Sequence, residues 1–270
     1  MNRIIEILFL VAVQLAIGGI VLLGLEELKA VGIGFYRLIS FVFLVVFGIG
    51  LWAMPSGLRG RIDLSPTGLT PVFLLLFGVL LILYNLYLWV DGVGLAIPFL
   101  QGTGAMGMIA VLLSAMHYVD PIFAPFRGVI LSASFLLSSL LLGAGVLGML
   151  LGHSYLTRPS LSLVPLKKLS GIFLLLVVAQ AGISLLNLLL MPHNDQFWLA
   201  LSLSNFEGLY LWIRLLIGIA APILLAWMVV QTVKERATMS ATGLLYIAMV
   251  MVIVGEVFSR FFLLVDSLFL

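Results

Sequence analysis

Glu256 and Arg260 stand four residues apart in VGEVFSRFF, inside the last apolar run of the chain. On a helix, positions i and i+4 share a face, and a carboxylate N-terminal to its cation is the favourable order for pairing. A charge at the centre of a bilayer costs about 2.5–3.5 kcal/mol on insertion scales, so an ionisable side chain there signals a function or a fixed partner. Arg214 enters the preceding apolar run, with Glu207 just before it. His117 closes another run and is followed by Tyr118 and Asp120, a grouping able to hydrogen-bond a quinone carbonyl. Gln14, Asn85, Gln180 and Asn187 add neutral polar groups inside apolar segments. A proton-handling or ligand-binding role is one reading of Glu256 and Arg260. The other is structural: the two neutralise each other and staple the last helix to its neighbours. The readings are compatible, because a buried pair can orient a site it does not itself form.

Other motifs carry less. GTGAMG (102–107) fits the dinucleotide fingerprint G-x-G-x-x-G, but that motif needs a strand before it and a helix after it. Here it opens an apolar helix, where small residues let neighbouring backbones approach. Gly18–Gly19 and Gly148-x-x-x-Gly152 are expected to be packing faces for the same reason. A b-type haem commonly needs two His ligands at one depth. His117 and His153 are expected at opposite ends of their helices, leaving His193 as the remaining partner for His117, so haem b is disfavoured. No H-e-x-x-H metalloprotease pattern and no G-x-S-x-G nucleophile elbow is present. The absence of cysteine excludes disulfides, thiolate nucleophiles, Cys-ligated zinc and Cys-ligated iron–sulfur clusters within this chain.

These side chains must be held by an unusually oily scaffold. Of 270 residues 63% are hydrophobic and 9% charged, whereas a soluble domain carries about 25% charged residues to wet its surface. Apolar stretches recur near the 20-residue length that crosses about 30 Å of hydrocarbon. They are continuously apolar, as in FLLLFGVLLILYNLYLWV, without the alternation of a membrane β-barrel strand. The expected fold is therefore all-α: a polytopic transmembrane helix bundle forming a single membrane domain over residues 1–270. Eight spans are predicted, at 4–25, 33–54, 70–90, 97–118, 127–152, 169–191, 208–231 and 241–265. The first is expected to be retained, since its apolar part exceeds a signal core and EELKAVG is a poor cleavage site.

Loops carry the breakers and the charge: MPSGLRGRIDLSPTG, DPIFAPFRG, MPHNDQ and KERATMS. The connector HSYLTRPSLSLVPLKKLS (153–170) contains Pro159 and Pro165 and is expected to lie along the membrane surface. Pro222 is the one deep proline kink candidate. Lys and Arg are in excess on the face away from the termini (Lys29, Arg158, Lys167, Lys168, Lys234, Arg236), which places that face in the cytoplasm and both termini outside. The formal charge of +2 and the lack of a basic, aromatic-interleaved stripe exclude a nucleic-acid binder.

At Gly255, Glu256 and Arg260 the chain resembles the membrane-anchor subunits of the dimethyl sulfoxide reductase and polysulfide reductase (NrfD-like) group, whose last helix carries a G-E-x-x-G-R-like pattern followed by aromatics. Ser259 replaces the second glycine. FLVAVQLAIGGIVLLGLEEL, with Gln14 before Gly18 and Gly19, is similar to that group's opening helix, and SASFLLSSLLLGAGVLG to a middle one. WAMPSGLRG lacks the early His of such anchors. The resemblance implies an integral subunit of a respiratory oxidoreductase in the bacterial inner membrane. It would be non-catalytic or quinone-binding, carry no covalently bound cofactor, and anchor iron–sulfur or haem-bearing partners. Quinone or quinol would be held near the outer face by some of Glu256, Arg260, His117, Asp120, Arg214 and Gln14. Two alternatives stand beside it: a small-solute or ion transporter with Glu256 and Arg260 lining its path, and a purely structural accessory subunit.

Overall fold

The computed structural model describes residues 3–25, 30–58, 65–90, 96–119, 124–158, 160–190 and 206–266. All of the regular structure in these residues is helical: α1 (Arg3–Leu23), α2 (Ile33–Trp52), α3 (Pro66–Val90), α4 (Ala96–Met116), α5 (Ala124–Thr157), α6 (Val164–Leu190), α7 (Phe206–Leu215), α8 (Ala221–Lys234) and α9 (Thr238–Asp266). A five-residue π turn, Leu216–Ala220, joins α7 to α8 into one span. Among the described residues, eight helical spans are thus long and apolar enough to cross a membrane, and the chain is an integral membrane protein.

Apolar side chains face both ways, as lipid requires. Leu38, Phe41 and Val45 on α2, or Leu175 on α6 and Leu224 on α8, are exposed and belong against acyl chains. Inward, Phe43, Phe47, Phe77, Tyr84, Phe135 and Phe173 form one continuous core. The backbone donors of each helix are satisfied within it, which is what allows such segments to sit in hydrocarbon.

Helix α1 lies at the centre, packed on α2, α4, α5 and α9. Its crossing with α5 depends on glycine: a Cβ on Gly18 would fall on the Ser139 carbonyl, and a Cβ on Gly143 on the Gly18 backbone. The small-residue reading of the other glycine motifs also holds. Gly104 and Gly107 of GTGAMG pack on Val21 and Ile17 of α1, while Gly148 and Gly152 pack on Leu245 and Thr242 of α9.

Chain ends alternate between two faces. Tyr118, just past α4, reaches Glu6 at the start of α1. On the other face Arg158 Nη1 donates to the Val31 carbonyl at 3.3 Å, and Arg37 Nε donates to the Leu88 carbonyl at 2.9 Å. Arg37 also stacks over Trp89, 4.8 Å from its ring centre. The connector between α5 and α6 is shorter than the sequence reading expected. Helix α5 runs on through His153 to Thr157, and α6 begins at Val164, so only residues 158–163 join them. Pro165 is the second residue of α6, where its missing N–H leaves nothing unbonded. Pro159 lies outside the described residues.

Candidate functional site

Within the half of the bundle nearer the α1 start and α9 end, three charged side chains meet where neither water nor lipid reaches. Arg214, Glu256 and Arg260 are all 0% exposed and Gln14 is 1% exposed. Arg214 Nη1 donates to Glu256 Oε1 at 3.1 Å. Arg260 Nη2 donates to Gln14 Oε1 at 3.0 Å and sits 3.4 Å from Glu256 Oε2. The i, i+4 pair expected from the sequence is therefore present, and it is the longer of the two contacts the carboxylate makes. The Arg260 guanidinium also lies over the ring of Phe135 of α5, 4.1 Å from its centre. Ser139, one turn further along α5, donates to the backbone carbonyl of Gln14 at 2.8 Å and fixes the helix that presents the amide.

The seventh span is bent to make this possible. Pro222 cannot donate to the carbonyl four residues back and its ring would clash with it. The π turn over Leu216–Ala220 widens the helix ahead of the proline and absorbs one extra residue. Because successive helix positions are about 100° apart, that extra residue resets which face Arg214 occupies relative to α8. The contact is closed by glycine against glycine: a Cβ on Gly218 would stand 2.6 Å from the Gly255 Cα, and a Cβ on Gly255 would stand 3.1 Å from Arg214 Nη1. Pro222, read as a kink, acts through the turn before it.

Among the described residues, two guanidiniums and one carboxylate meet here, a formal excess of one positive charge in the apolar interior. Arg260 Nε and Nη1 and Gln14 Nε2 find no acceptor among the described residues. Burying donors in this way costs free energy unless something accepts from them, so the cluster presents capacity for an electronegative oxygen.

A second carboxylate lies nearer the surface. Tyr118 Oη donates to Glu6 Oε1 at 2.9 Å, and its ring leans on the same Phe135, 6.1 Å between centres. Burial, then the neighbouring Glu6 charge and its hydrogen bond, push the Tyr118 phenol well above the ordinary tyrosine range. A separate neutral seam runs between α5 and α6. Gln180 Nε2 donates to Ser138 Oγ at 3.2 Å and to Ser134 Oγ at 3.4 Å.

Of the residues singled out in the sequence, Gln14, Arg214, Glu256 and Arg260 come together. His117 does not join them: its ring stands edge-on to Tyr118 at 5.1 Å, at the rim. Asp120 and His193 lie outside the described residues. His153 is exposed near the far end of α5, away from His117. Asn85 belongs to the opposite half, where it accepts from Ser40 at 3.0 Å. The sequence reading missed Glu6, Phe135 and Ser139, and noted Tyr118 only beside His117. Only the packing of α4 against α1 makes Glu6 and Tyr118 a pair.

No family model, no curated protein and no solved structure matches the chain.

Proposed function

We propose that this chain is the integral membrane subunit of a multi-subunit respiratory oxidoreductase, anchoring a cofactor-bearing partner and holding quinone or quinol near the face where the termini lie. The observation that carries the reading is the bond between Gln14 and Arg260 across 246 residues. The resemblance to anchor subunits rested on the first, a middle and the last helix, each read separately, with Gln14 in the first and Glu256 and Arg260 in the last. In the folded chain these three residues form one hydrogen-bonded unit, supplemented by Arg214.

The chemistry fits the assignment. A quinone oxygen is an acceptor, and Arg260 Nε, Nη1 and Gln14 Nε2 are buried donors awaiting one. The formal positive excess favours the charge that develops on that oxygen as a quinol hydroxyl loses its proton. Electrons leave to an iron–sulfur or haem centre on the partner, since a cysteine-free chain holds no cluster of its own through thiolates. The Lys and Arg excess on the opposite face supports an orientation with the termini and the site on the outer side of a bacterial inner membrane. A transporter of a small anion is the second reading, favoured by that same positive excess.

The test is quinone binding by the purified chain, read as quenching of its tryptophan fluorescence by short-tailed benzoquinone and naphthoquinone analogues. Saturable binding is expected, weakened at least tenfold in Arg260→Lys, which keeps the charge and loses the guanidinium fork. Failure of the folded chain to bind either analogue would contradict the proposal. Saturable stabilisation by a small carboxylate or halide in its place would favour the transporter.

A further inference from the structure

We propose that Tyr118 and Glu6 form the proton exit of this site, carrying protons released from the quinol to water at the outer rim. The inference rests on the quinol reading above and adds two residues to it.

The geometry has a direction. Tyr118 spends its single O–H proton on Glu6 Oε1, at 2.9 Å. Its oxygen lone pairs remain available to accept another proton. On the inner side, the Tyr118 ring stands 6.1 Å from that of Phe135, and the Arg260 guanidinium stands over the same Phe135 ring at 4.1 Å. Phe135 is thus a neighbour common to Tyr118 and to the guanidinium that would hold a quinol oxygen. On the outer side, Glu6 is half-buried and its neighbours Arg3, Ile4 and Ile5 are exposed. The pair thus bridges the sealed interior and the surface.

The step balances. As the quinol O–H bonds break, their protons pass by way of an intervening water to the Tyr118 oxygen while the Tyr118 proton passes to the Glu6 carboxylate, and Glu6 releases it to water. Two protons leave this way for each quinol oxidised to quinone, while two electrons go to the iron–sulfur or haem centre of the partner. Tyr118 never carries a net negative charge, which its burial would oppose. Glu256 is poorly placed for the same task, because its two oxygens are engaged by Arg214 and Arg260. Among the described residues, the charged and titratable groups around the pair are Arg3 on α1, His117 beside Tyr118, and Arg260 on α9.

A structural account competes with this one: the bond tethers the end of α4 to the start of α1 and does nothing more. Glu6→Gln separates them, since the Gln carbonyl still accepts from Tyr118 but takes up no proton. The experiment uses the complex in native membranes. Three quantities are read: quinol oxidation with a short-tailed quinol and an artificial electron acceptor, binding of the quinone analogue, and the melting temperature. In Glu6→Gln, quinol oxidation is expected to fall at least tenfold with analogue affinity within about twofold of wild type and melting unchanged. Tyr118→Phe should match it in rate, and Glu6→Asp should recover part of the activity. Wild-type turnover in Glu6→Gln, with binding intact, overturns the proton exit and leaves the quinol reading standing. A fall in melting temperature in Glu6→Gln marks a tether and overturns it as well. Absence of analogue binding in the wild type removes both.

Discussion

Arg260 Nη2 donates to Gln14 Oε1 at 3.0 Å, and the same guanidinium lies on Phe135 and beside Glu256, so one side chain of the last helix touches α1, α5 and its own turn. A charged group in this position is tolerated because each neighbour supplies part of what water would have given it. Glu256 is the single carboxylate of the cluster, and its two oxygens serve two cations.

Removing that carboxylate takes a charge partner from both guanidiniums. Breaking a buried pair from one side costs about 3–5 kcal/mol, more than the pair itself contributes relative to apolar packing. Glu256→Ala is expected to lower the melting temperature strongly in thermal unfolding followed by helical circular dichroism. Pairing it with Arg214→Met should recover part of the loss. An unstable double variant with no recovery would show that the two residues are not coupled.

The π turn makes its own prediction. Deleting one residue within Leu216–Ala220 returns the span to α geometry and rotates Arg214 by about 100° relative to α8. The coupling between Arg214→Met and Glu256→Gln, measured as a double-mutant cycle on melting temperature, should then vanish. Persistence of the coupling in the deleted chain would mean that the turn does not set the register.

Backbone contact between Gly218 and Gly255 leaves no space for a methyl group. Either glycine replaced by alanine is expected to cost about 1–3 kcal/mol through forced displacement of the helices. The analogue affinity should fall with it, because Arg214 Nη1 lies over Gly255. An alanine variant with wild-type melting and wild-type affinity would contradict this packing.

Away from the cluster, Gln180→Leu removes the amide that bonds Ser134 and Ser138. Interhelical bonds of this kind are worth about 0.6 kcal/mol on average within membranes. A small drop in melting temperature is expected with quinone binding unaffected. A large change in binding would place α6 in the site.

Tyr118 also sets a pH limit. Its folded-state pKa is raised by burial and by Glu6, while in the unfolded chain a tyrosine ionises near 10. The stability contributed by the protonated phenol is complete below about pH 10 and is lost as pH rises beyond it, because only the unfolded chain ionises there. Tyr118→Phe should flatten that alkaline decline in melting temperature; an unchanged decline would assign it to other groups.

The eight spans were legible because lipid imposes length and apolarity on each one independently. The ends of α5 and α6 were misjudged where polar residues such as His153 and Ser154 continue a helix past the apolar run. Glu256 with Arg260 was legible because helical spacing is local. Arg214, already singled out, proved to be the closer partner of Glu256 because a π turn, invisible to periodicity, sets its face. Glu6 and Tyr118 are 112 residues apart and belong to helices whose packing no spacing rule fixes. Gln14 stood out as a polar residue in an apolar run, yet its bond to Arg260 depends on α1 being enclosed by four other helices.

The measurement closest to the central claim is purification of the native protein in mild detergent, with mass spectrometry of what accompanies it and an optical and electron paramagnetic resonance spectrum of the sample. A stoichiometric partner bearing iron–sulfur clusters or haem, reduced on addition of a short-tailed quinol, is the predicted result. A colourless single chain, stable alone and unresponsive to quinol, would contradict the assignment to an oxidoreductase.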